Sequence, residues 1–271
     1  MADTGKALRL RRLSRPADGR YLFVPLDHSV SDGPVVANHE WDELIRDLVL
    51  GGADAIIVHK GRFRAIKPEL LDDTALVVHL SAGTPHAADE HAKVLVGDAE
   101  DALRLGADAV SVHVNVGSDT ESKQLADLGA VASSCQAWNI PLIAMIYARG
   151  PRIHDPRDSR TLAHVVNIAA DLGADLVKTS MAYPVERMAD VTASCPIPVL
   201  AAGGPPAHDP DGIALAEYAR DALSAGCAGL AVGRRIFSSP NPLSVVCRLA
   251  AVLHPQVTPN HSPMTTGAGA A

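Results

Sequence analysis

Apolar residues recur along the chain in two alternating patterns, and each pattern predicts a different element. Short apolar runs, such as residues 22–27 and 55–59, are typical of strands that are buried on both faces of a sheet. Between them lie longer stretches with apolar residues three and four positions apart, as in Trp41, Leu44 and Leu48. This second spacing places one face of a helix against a core. The chain is therefore predicted to alternate strand and helix.

One short phrase recurs where a helix is expected to pass into a strand. Gly-Ala-Asp precedes an apolar run at residues 52–54, 106–108 and 173–175, and a looser copy occupies residues 226–229. A glycine at this place ends a helix and lets the chain turn into the next strand. The phrase indicates repeated copies of one helix-to-strand unit.

The apolar runs predict eight strands, at residues 22–27, 55–59, 75–80, 109–114, 142–147, 175–178, 198–202 and 229–232. Eight strand-and-helix units in about 250 residues predict a single-domain α/β protein, the (β/α)8 or TIM barrel. An open, doubly wound sheet is the alternative, although it would not require eight units. We expect a lead-in helix in residues 1–20, the barrel in residues 21–254 and a disordered tail in residues 255–271.

Composition and charge narrow the function. The 271 residues are 47% hydrophobic and 20% charged, with a formal net charge of −7, and they contain no basic stripe for nucleic acid. No apolar run reaches the length of a membrane span, and no signal-peptide pattern follows the N-terminal arginines, so a cytoplasmic protein is expected. The cysteines are widely spaced and predict buried free thiols rather than a disulfide or zinc site: Cys135, Cys195, Cys227 and Cys247.

In a (β/α)8 barrel the reacting groups lie where strands end and loops begin. Polar residues and glycines stand at or just after the predicted strand ends: Asp27, His28, His59, Lys60, His79, His113, Asn115, Tyr147, Arg149, Lys178, Gly203, Gly204, Gly233, Arg234 and Arg235. We expect these residues to surround one site.

The glycines after the last two strands indicate a phosphorylated ligand. Gly203, Gly204 and Gly233 let backbone N–H groups approach an anion in the two loops with which such barrels bind phosphate. Each glycine alone could equally form a tight turn. Both loops together predict phosphate binding, with Arg234 rather than Arg235 supplying the charge.

Lysines are scarce, and only Lys60 and Lys178 of the six stand at predicted strand ends. A neutral amine attacks a carbonyl to form a Schiff base, and Lys178 closes an apolar strand. Tyr147 could exchange a proton with the same intermediate, and Asp27 could orient a hydroxyl group. The alternatives are an ion-paired lysine, a phenol that is hydrogen bonded to a neighbour, and a carboxylate paired with an arginine.

The histidines at the strand ends offer a rival chemistry. His28, His59, His79 and His113 could converge on zinc, as in a metal-dependent aldolase or hydrolase. No H-x-H pair occurs at a strand end and acidic ligands are few there. We therefore expect neither a metal nor another cofactor.

Taken in order, several of these segments resemble the archaeal-type class I aldolases, and within that family the heptulosonate-synthase branch. The segments that carry the resemblance are residues 24–34, 140–150, 174–179, 202–205 and 231–234. The resemblance implies that Lys178 forms a Schiff base, that Tyr147 is the acid and base, and that Asp27 assists proton transfer. It also implies phosphate binding by the two glycine loops.

The resemblance further implies the substrates. Such enzymes join a phosphorylated ketone, here dihydroxyacetone phosphate or a deoxy-ketohexose phosphate, to an aldehyde, here L-aspartate 4-semialdehyde. From their places at the strand ends, Arg149, His28 and Lys60 are expected to help hold the substrates. A ring-based homo-oligomer, such as a decamer, is also implied. A fructose-bisphosphate aldolase, a thiolase-like acyl transferase of the same family and a non-catalytic phosphosugar-binding protein stay open as alternatives.

Three departures from the family pattern lie on the expected catalytic face. Ser29 stands where the family usually has glycine, and Ala148 stands where it usually has proline. After Lys178 the usual Tyr-Thr-Gly is replaced by the Met-Ala-Tyr of residues 181–183. We expect these changes to affect the donor substrate more than the chemistry.

Overall fold

The computed structural model describes residues 4–14, 18–203 and 209–255. Within these residues the strands are β1 (Tyr21–Pro25), β2 (Ala55–Val58), β3 (Ala75–His79), β4 (Ser81–Ala82), β5 (Val94–Leu95), β6 (Ala109–Val116), β7 (Leu142–Ala148), β8 (Leu176–Thr179), β9 (Val199–Ala202) and β10 (Gly229–Ala231). The α-helices are α1 (Thr4–Arg12), α2 (Trp41–Gly51), α3 (Lys60–Phe63), α4 (Ala99–Leu105), α5 (Glu121–Trp138), α6 (Ser159–Asp171), α7 (Met188–Ser194), α8 (Ile213–Ser224), α9 (Arg234–Phe237) and α10 (Pro242–Leu253).

Eight of the strands close into a barrel in the order β1, β2, β3, β6, β7, β8, β9, β10 and back to β1. Every neighbouring pair in this barrel is parallel. The predicted (β/α)8 barrel is confirmed, and the open sheet is wrong. Every predicted strand is present, with small shifts at its ends.

Alternate residues of each barrel strand face the barrel axis. Leu176 of β8 packs in an inner cluster with Phe23 and Ile57, whereas Val177 packs outward in the cluster between the strands and the helices. Because side chains alternate along a strand, Lys178 shares the inward side with Leu176. The strand thus directs the lysine into the barrel.

The repeated Gly-Ala-Asp phrase has a second role, which the sequence did not reveal. Each of its aspartates precedes one strand and accepts a hydrogen bond from a backbone N–H of the neighbouring strand. The bonds join Asp54 to Leu22 at 2.6 Å, Asp108 to Leu76 at 3.0 Å and Asp175 to Leu142 at 2.8 Å. The three carboxylates therefore tie pairs of strands together at the amino end of the barrel.

Helix α1 packs against this amino end of the barrel. Lys6 pairs with Asp175 at 3.1 Å, and Arg12 pairs with Asp108 at 3.2 Å. Leu13, which follows the helix, is fully buried and joins the inner cluster of the barrel. The helix expected in the lead-in segment therefore covers the end opposite to the expected catalytic face.

A short antiparallel hairpin lies between β3 and α4 and was not predicted. Strands β4 and β5 pair Ser81 with Leu95 and Ala82 with Val94. The Ser81 hydroxyl accepts a hydrogen bond of 2.9 Å from the backbone N–H of His113 on β6. We call residues 81–95 the strap, since they connect β3 to the region beside β6 at the carboxyl end of the barrel.

All four cysteines are free thiols, but the predicted burial holds only for Cys135 and Cys227, since Cys195 and Cys247 are half-buried. In the described ranges, no helix has both the length and the apolar character to cross a membrane. Residues 256–271 of the predicted tail lie outside the described residues, so the tail stays a prediction.

Candidate active site

A cavity of about 770 Å³ lies at the carboxyl end of the barrel. Eight of the ten residues predicted for the site line it: Asp27, His28, Tyr147, Arg149, Lys178, Gly203, Gly233 and Arg234. The structure therefore brings together residues from most of the strand ends, while the role of each residue stays a prediction.

Lys60 and Gly204 are the two exceptions. Lys60 opens helix α3, and its ammonium lies 3.4 Å from the Asp101 carboxylate, with 44% of the side chain exposed. Because β2 ends at Val58, the alternation of side chains turns His59 into the cavity and Lys60 away from it. The structure thus does not place Lys60 in the site, contrary to the prediction. Gly204 lies outside the described residues.

Lys178 lies on β8 in an apolar part of the barrel wall. Its register partners are Met145 on β7 and Leu200 on β9, and only 7% of the lysine is exposed. Within the described ranges, its ammonium makes no hydrogen bond or salt bridge. Among the described residues no carboxylate forms a salt bridge with Lys178, which is contrary to the alternative of an ion-paired lysine. The amine faces the cavity.

Asp27 lies in a short turn just after β1, which ends at Pro25, whereas the predicted strand extended to Asp27 itself. Its carboxylate is 3.7 Å from His79 Nε2 and 3.6 Å from His28 Nδ1. Burial alone would raise the pKa of Asp27, but the neighbouring histidines and the Lys178 ammonium outweigh burial and lower the pKa to about 2. Asp27 is thus an ionised carboxylate whose charge acts on Lys178.

Buried imidazoles form one wall of the cavity. His79 Nδ1 lies 2.8 Å from the Ser111 hydroxyl, and burial lowers the pKa of His79 to about 4. Burial also lowers the pKa of His113 well below its ordinary value, and His113 Nε2 lies 2.9 Å from the Asn115 side-chain oxygen. Both imidazoles are therefore neutral near pH 7. Among the described residues, no group of three His, Cys, Asp or Glu side chains could hold a metal ion.

Tyr147 ends the inward-facing row of β7, and it is 5% exposed. Its ring lies 5.1 Å from the His113 ring and 4.1 Å from the Arg149 guanidinium. The ring is held by these contacts, while its hydroxyl makes no hydrogen bond within the described part of the chain. The phenol can thus exchange a proton with a bound substrate.

The glycines after β9 and β10 lie where the backbone packs closely. A β carbon on Gly203 would lie 2.5 Å from Val232 Cγ1, and one on Gly233 would collide with the carbonyl oxygen of Pro25. No larger residue fits at either position without a shift of its neighbours. These loops are therefore glycine-containing for packing reasons as well as for any approach to an anion.

Both arginines after Gly233 line the cavity. Arg234 lies 3.6 Å from Asp32, and Arg235 lies 2.9 Å from Asp209 with 11% of its side chain exposed. The sequence favoured Arg234 alone, since it did not show that α9 turns both side chains toward the cavity. This end of the cavity thus holds two guanidinium groups, each beside a carboxylate, where one was predicted.

Sequence reasoning missed Lys93, which lies in the strap and lines the cavity. Only residues at barrel strand ends were considered, and the two-residue strands β4 and β5 are too short to produce a periodic signal. The one available sign was the length of the polar connection between β3 and α4. A long connection at the carboxyl end of a barrel often carries functional residues.

The barrel, its inward lysine and the glycines after β9 and β10 are the features expected of a class I aldolase. The family profile described as DeoC/LacD family aldolase matches residues 21–239, and the chain belongs to that family. The aldolase predicted from the motifs is thereby confirmed.

Two curated relatives show the branch of the family. The chain is 47% identical over 269 residues to 2-amino-4,5-dihydroxy-6-oxo-7-(phosphonooxy)heptanoate synthase of Streptomyces griseus, covering 99% of this chain and 97% of the relative. It is 38% identical over 262 residues to 2-amino-3,7-dideoxy-D-threo-hept-6-ulosonate synthase of Halobacterium salinarum, covering 96% and 95%. The predicted resemblance to the heptulosonate-synthase branch is confirmed.

Solved structures show the same architecture. An archaeal fructose 1,6-bisphosphate aldolase superposes with a TM-score of 0.83 at 24% identity, covering 92% of this chain and 98% of the other. At this level of sequence identity, the structural similarity establishes a shared fold.

Proposed function

We propose that this chain is a Schiff-base aldolase that joins dihydroxyacetone phosphate to L-aspartate 4-semialdehyde, giving 2-amino-4,5-dihydroxy-6-oxo-7-(phosphonooxy)heptanoate. The observation that carries the proposal is the position of Lys178. It is an inward lysine without a salt bridge in the described ranges, in a cavity that it shares with Tyr147 and the ionised Asp27. Family membership supports the aldol chemistry.

The names of the two relatives support the choice of substrates. An aldol addition forms its new bond between the carbon next to a ketone and the former aldehyde carbon. In the product named for the Streptomyces relative, with the ketone at C6, this bond joins C5 to C4. Breaking it gives dihydroxyacetone phosphate and aspartate semialdehyde. The product named for the Halobacterium relative has the same amino-acid half but lacks oxygen at C7, so the greater identity to the Streptomyces protein favours the phosphorylated three-carbon donor.

The first half of the reaction needs an amine and a stabilised positive charge. Lys178 Nζ attacks the ketone carbon of the donor, and loss of water gives an iminium ion. The carboxylate of Asp27 stabilises this cation, and the iminium draws electrons from the adjacent carbon. That carbon then loses a proton to the Asp27 carboxylate, which forms the enamine, and Asp27 passes the proton to the hydroxyl that departs as water.

The second half forms the carbon–carbon bond. The enamine attacks the aldehyde carbon, and the Tyr147 hydroxyl donates a proton to the oxygen that becomes the C4 alcohol. Water then hydrolyses the iminium ion, which releases the product, restores Lys178 and returns a proton to the Tyr147 oxygen. One water leaves and one returns, so the net reaction is an addition that requires no cofactor.

The phosphate group holds the donor in place during these steps. Gly203, Gly233 and Arg234 line one side of the cavity, and backbone N–H groups and a guanidinium are the groups that bind phosphate in such loops. Fixing the donor relative to Lys178 can supply several kcal/mol by orientation. The ring-based homo-oligomer stays a prediction.

A product assay tests the proposal. The purified protein is incubated with dihydroxyacetone phosphate and L-aspartate 4-semialdehyde, with Lys178→Met as the control, and the products are separated and weighed by mass spectrometry. We expect a compound whose mass is the sum of the two substrates, formed only by the unaltered protein. More efficient cleavage of fructose 1,6-bisphosphate, or acetyl transfer to coenzyme A without an addition product, would contradict the proposal in favour of one of the alternatives.

A further inference from the structure

A second pair of cations lines the cavity away from the phosphate loops. Lys93 comes from the strap, and Arg149 follows β7. Within the described ranges neither side chain makes a salt bridge or hydrogen bond to a carboxylate, and Arg149 stacks on the Tyr147 ring. Two cations without a bound anion in a substrate cavity indicate a binding place for a negative charge.

The two cations face the same space. The charges of Lys93 and Arg149, after burial, both lower the pKa of His113. Burial, followed by the charge of Arg149, likewise lowers the pKa of Lys93. Both side chains line the same cavity, and the charges of Asp27, Asp32 and Asp89, which raise the pKa of Lys93, do not outweigh burial and Arg149. An anion bound here would thus interact with both side chains.

The fold of the strap supports the position of Lys93. A β carbon on Gly83 would lie 2.9 Å from Lys93 Nζ, so the lysine folds back across the start of the strap. Lys93 is half-buried, whereas the adjacent Val94 is exposed. Glycine at position 83 leaves room for the ammonium at the cavity wall.

We propose that Lys93 and Arg149 form the subsite for the carboxylate of the aldehyde substrate, an inference that rests on the proposed function. Lys93 is then a specificity-determining residue of the aldol reaction. The strap, rather than a barrel strand, supplies half of this subsite.

The order of groups around the barrel matches their order along the product. The phosphate loops follow β9 and β10, Lys178 is on β8, Tyr147 is on β7, and the strap lies beside β6. In the seven-carbon product the phosphate is on C7, the imine carbon is C6, the new alcohol is on C4 and the carboxylate is C1. The carboxylate therefore lies beyond Tyr147, on the side of Lys93 and Arg149.

A second phosphate is the competing occupant of this position. A ketose bisphosphate that binds Lys178 through its ketone would place its far phosphate beyond Tyr147 as well. Both anions suit a lysine and an arginine. The preference of the enzyme between aldehyde substrates, rather than anion binding alone, distinguishes a carboxylate from a second phosphate at this position.

The test compares two aldehydes in the full-length protein. With dihydroxyacetone phosphate as donor, kcat/KM is measured for L-aspartate 4-semialdehyde and for butanal, a four-carbon aldehyde without the carboxylate. The variants are Lys93→Gln and Lys93→Arg, and the control is Lys123→Gln, on a lysine of α5 that is 55% exposed and pairs with Asp127. We expect Lys93→Gln to lower the preference for the carboxylate-bearing aldehyde about tenfold to hundredfold, mainly through KM. Lys93→Arg should keep most of the preference, and the control all of it.

Three results would overturn the inference alone, and a fourth would mark failure of the proposed function. An unchanged preference in Lys93→Gln shows that Lys93 does not bind the carboxylate. Loss of the borohydride-trapped donor adduct at Lys178 in Lys93→Gln, but not in Lys123→Gln, shows that Lys93 acts on the donor. If KM for fructose 1,6-bisphosphate rises in Lys93→Gln and the preference between the two aldehydes does not change, the subsite binds a second phosphate. If the unaltered protein does not condense the two substrates, the proposed function fails, and the subsite fails with it.

Discussion

The guanidinium of Arg149 lies 4.1 Å from the centre of the Tyr147 ring. The stacking, together with the His113 ring at 5.1 Å, fixes the phenol without using its hydroxyl. The position of the ring and the proposed proton transfer therefore depend on different atoms of the same side chain, and a substitution can separate them.

Tyr147→Phe keeps the ring and removes the hydroxyl. We expect kcat to fall by about 10²- to 10⁴-fold, because the alkoxide formed at C4 loses its proton donor. The donor should still form a borohydride-trapped adduct with Lys178. Steady-state kinetics and intact mass measure the two effects, and turnover within tenfold of the unaltered protein would show that another group supplies the proton.

Gly233→Ala tests the close packing of the loop after β10. The added β carbon would meet the Pro25 carbonyl oxygen and lie 2.8 Å from His28 Cε1, so we expect a loss of about 1–3 kcal/mol in the free energy of unfolding and a higher KM for the phosphorylated donor. Gly129→Ala is the matched control, since a β carbon there meets nothing within 4 Å in the middle of α5. That control should be neutral or stabilising by about 0.5–1 kcal/mol. Equal effects of the two substitutions in urea unfolding would contradict the packing argument.

His79 makes the protein sensitive to acid. Burial lowers its pKa in the folded state to about 4, and only 3% of the side chain is exposed. The unfolded chain binds this proton more tightly than the folded chain does. The contribution of neutral His79 to the free energy of unfolding is therefore fully present above the ordinary pKa of about 6.5 and is lost as the pH falls toward 4. Between pH 7.5 and pH 5 this loss amounts to about 2 kcal/mol. Urea unfolding at both pH values should show a correspondingly smaller loss in His79→Gln, and identical losses in the two proteins would refute the assignment.

His254 has the opposite dependence on pH. It lies between Asp18 at 2.8 Å and Asp54 at 3.0 Å, and although burial alone would lower the pKa of His254, these carboxylates raise it. A raised pKa in the folded state gives stability that is fully present below about 6.5 and is lost as the pH rises through the folded-state pKa. Thermal unfolding of His254→Gln should therefore show a larger deficit at pH 6 than at pH 9. A deficit that grows with pH would be inconsistent with this contact.

The barrel could be predicted because parallel strands that are buried on both faces leave a strong signal. Runs such as 142–147 and 198–202 are apolar at nearly every position, so the existence of each strand was clear from the sequence. The hairpin of the strap could not be predicted in this way, since two-residue strands have no measurable period. The hydrogen bonds of the Gly-Ala-Asp aspartates also depend on which strands become neighbours.

The sequence located those cavity-lining residues that lie within a barrel strand. Lys178 and Tyr147 lie within strands and face inward, so strand position alone located them. Lys60 was misplaced because β2 ends at Val58, and the alternation of side chains turns His59 into the cavity and Lys60 away from it. Lys93 was missed because a loop brings it to the cavity, and such a loop path is not encoded in a local pattern.

The central claim is that Lys178 forms the Schiff base, and reductive trapping tests it most directly. The protein is treated with borohydride in the presence of dihydroxyacetone phosphate, and the adduct is located by intact mass and peptide mapping. We predict one reduced donor per chain on the peptide that contains Lys178, and none in Lys178→Met. An adduct on Lys93, or an active protein that traps no donor, would contradict the account.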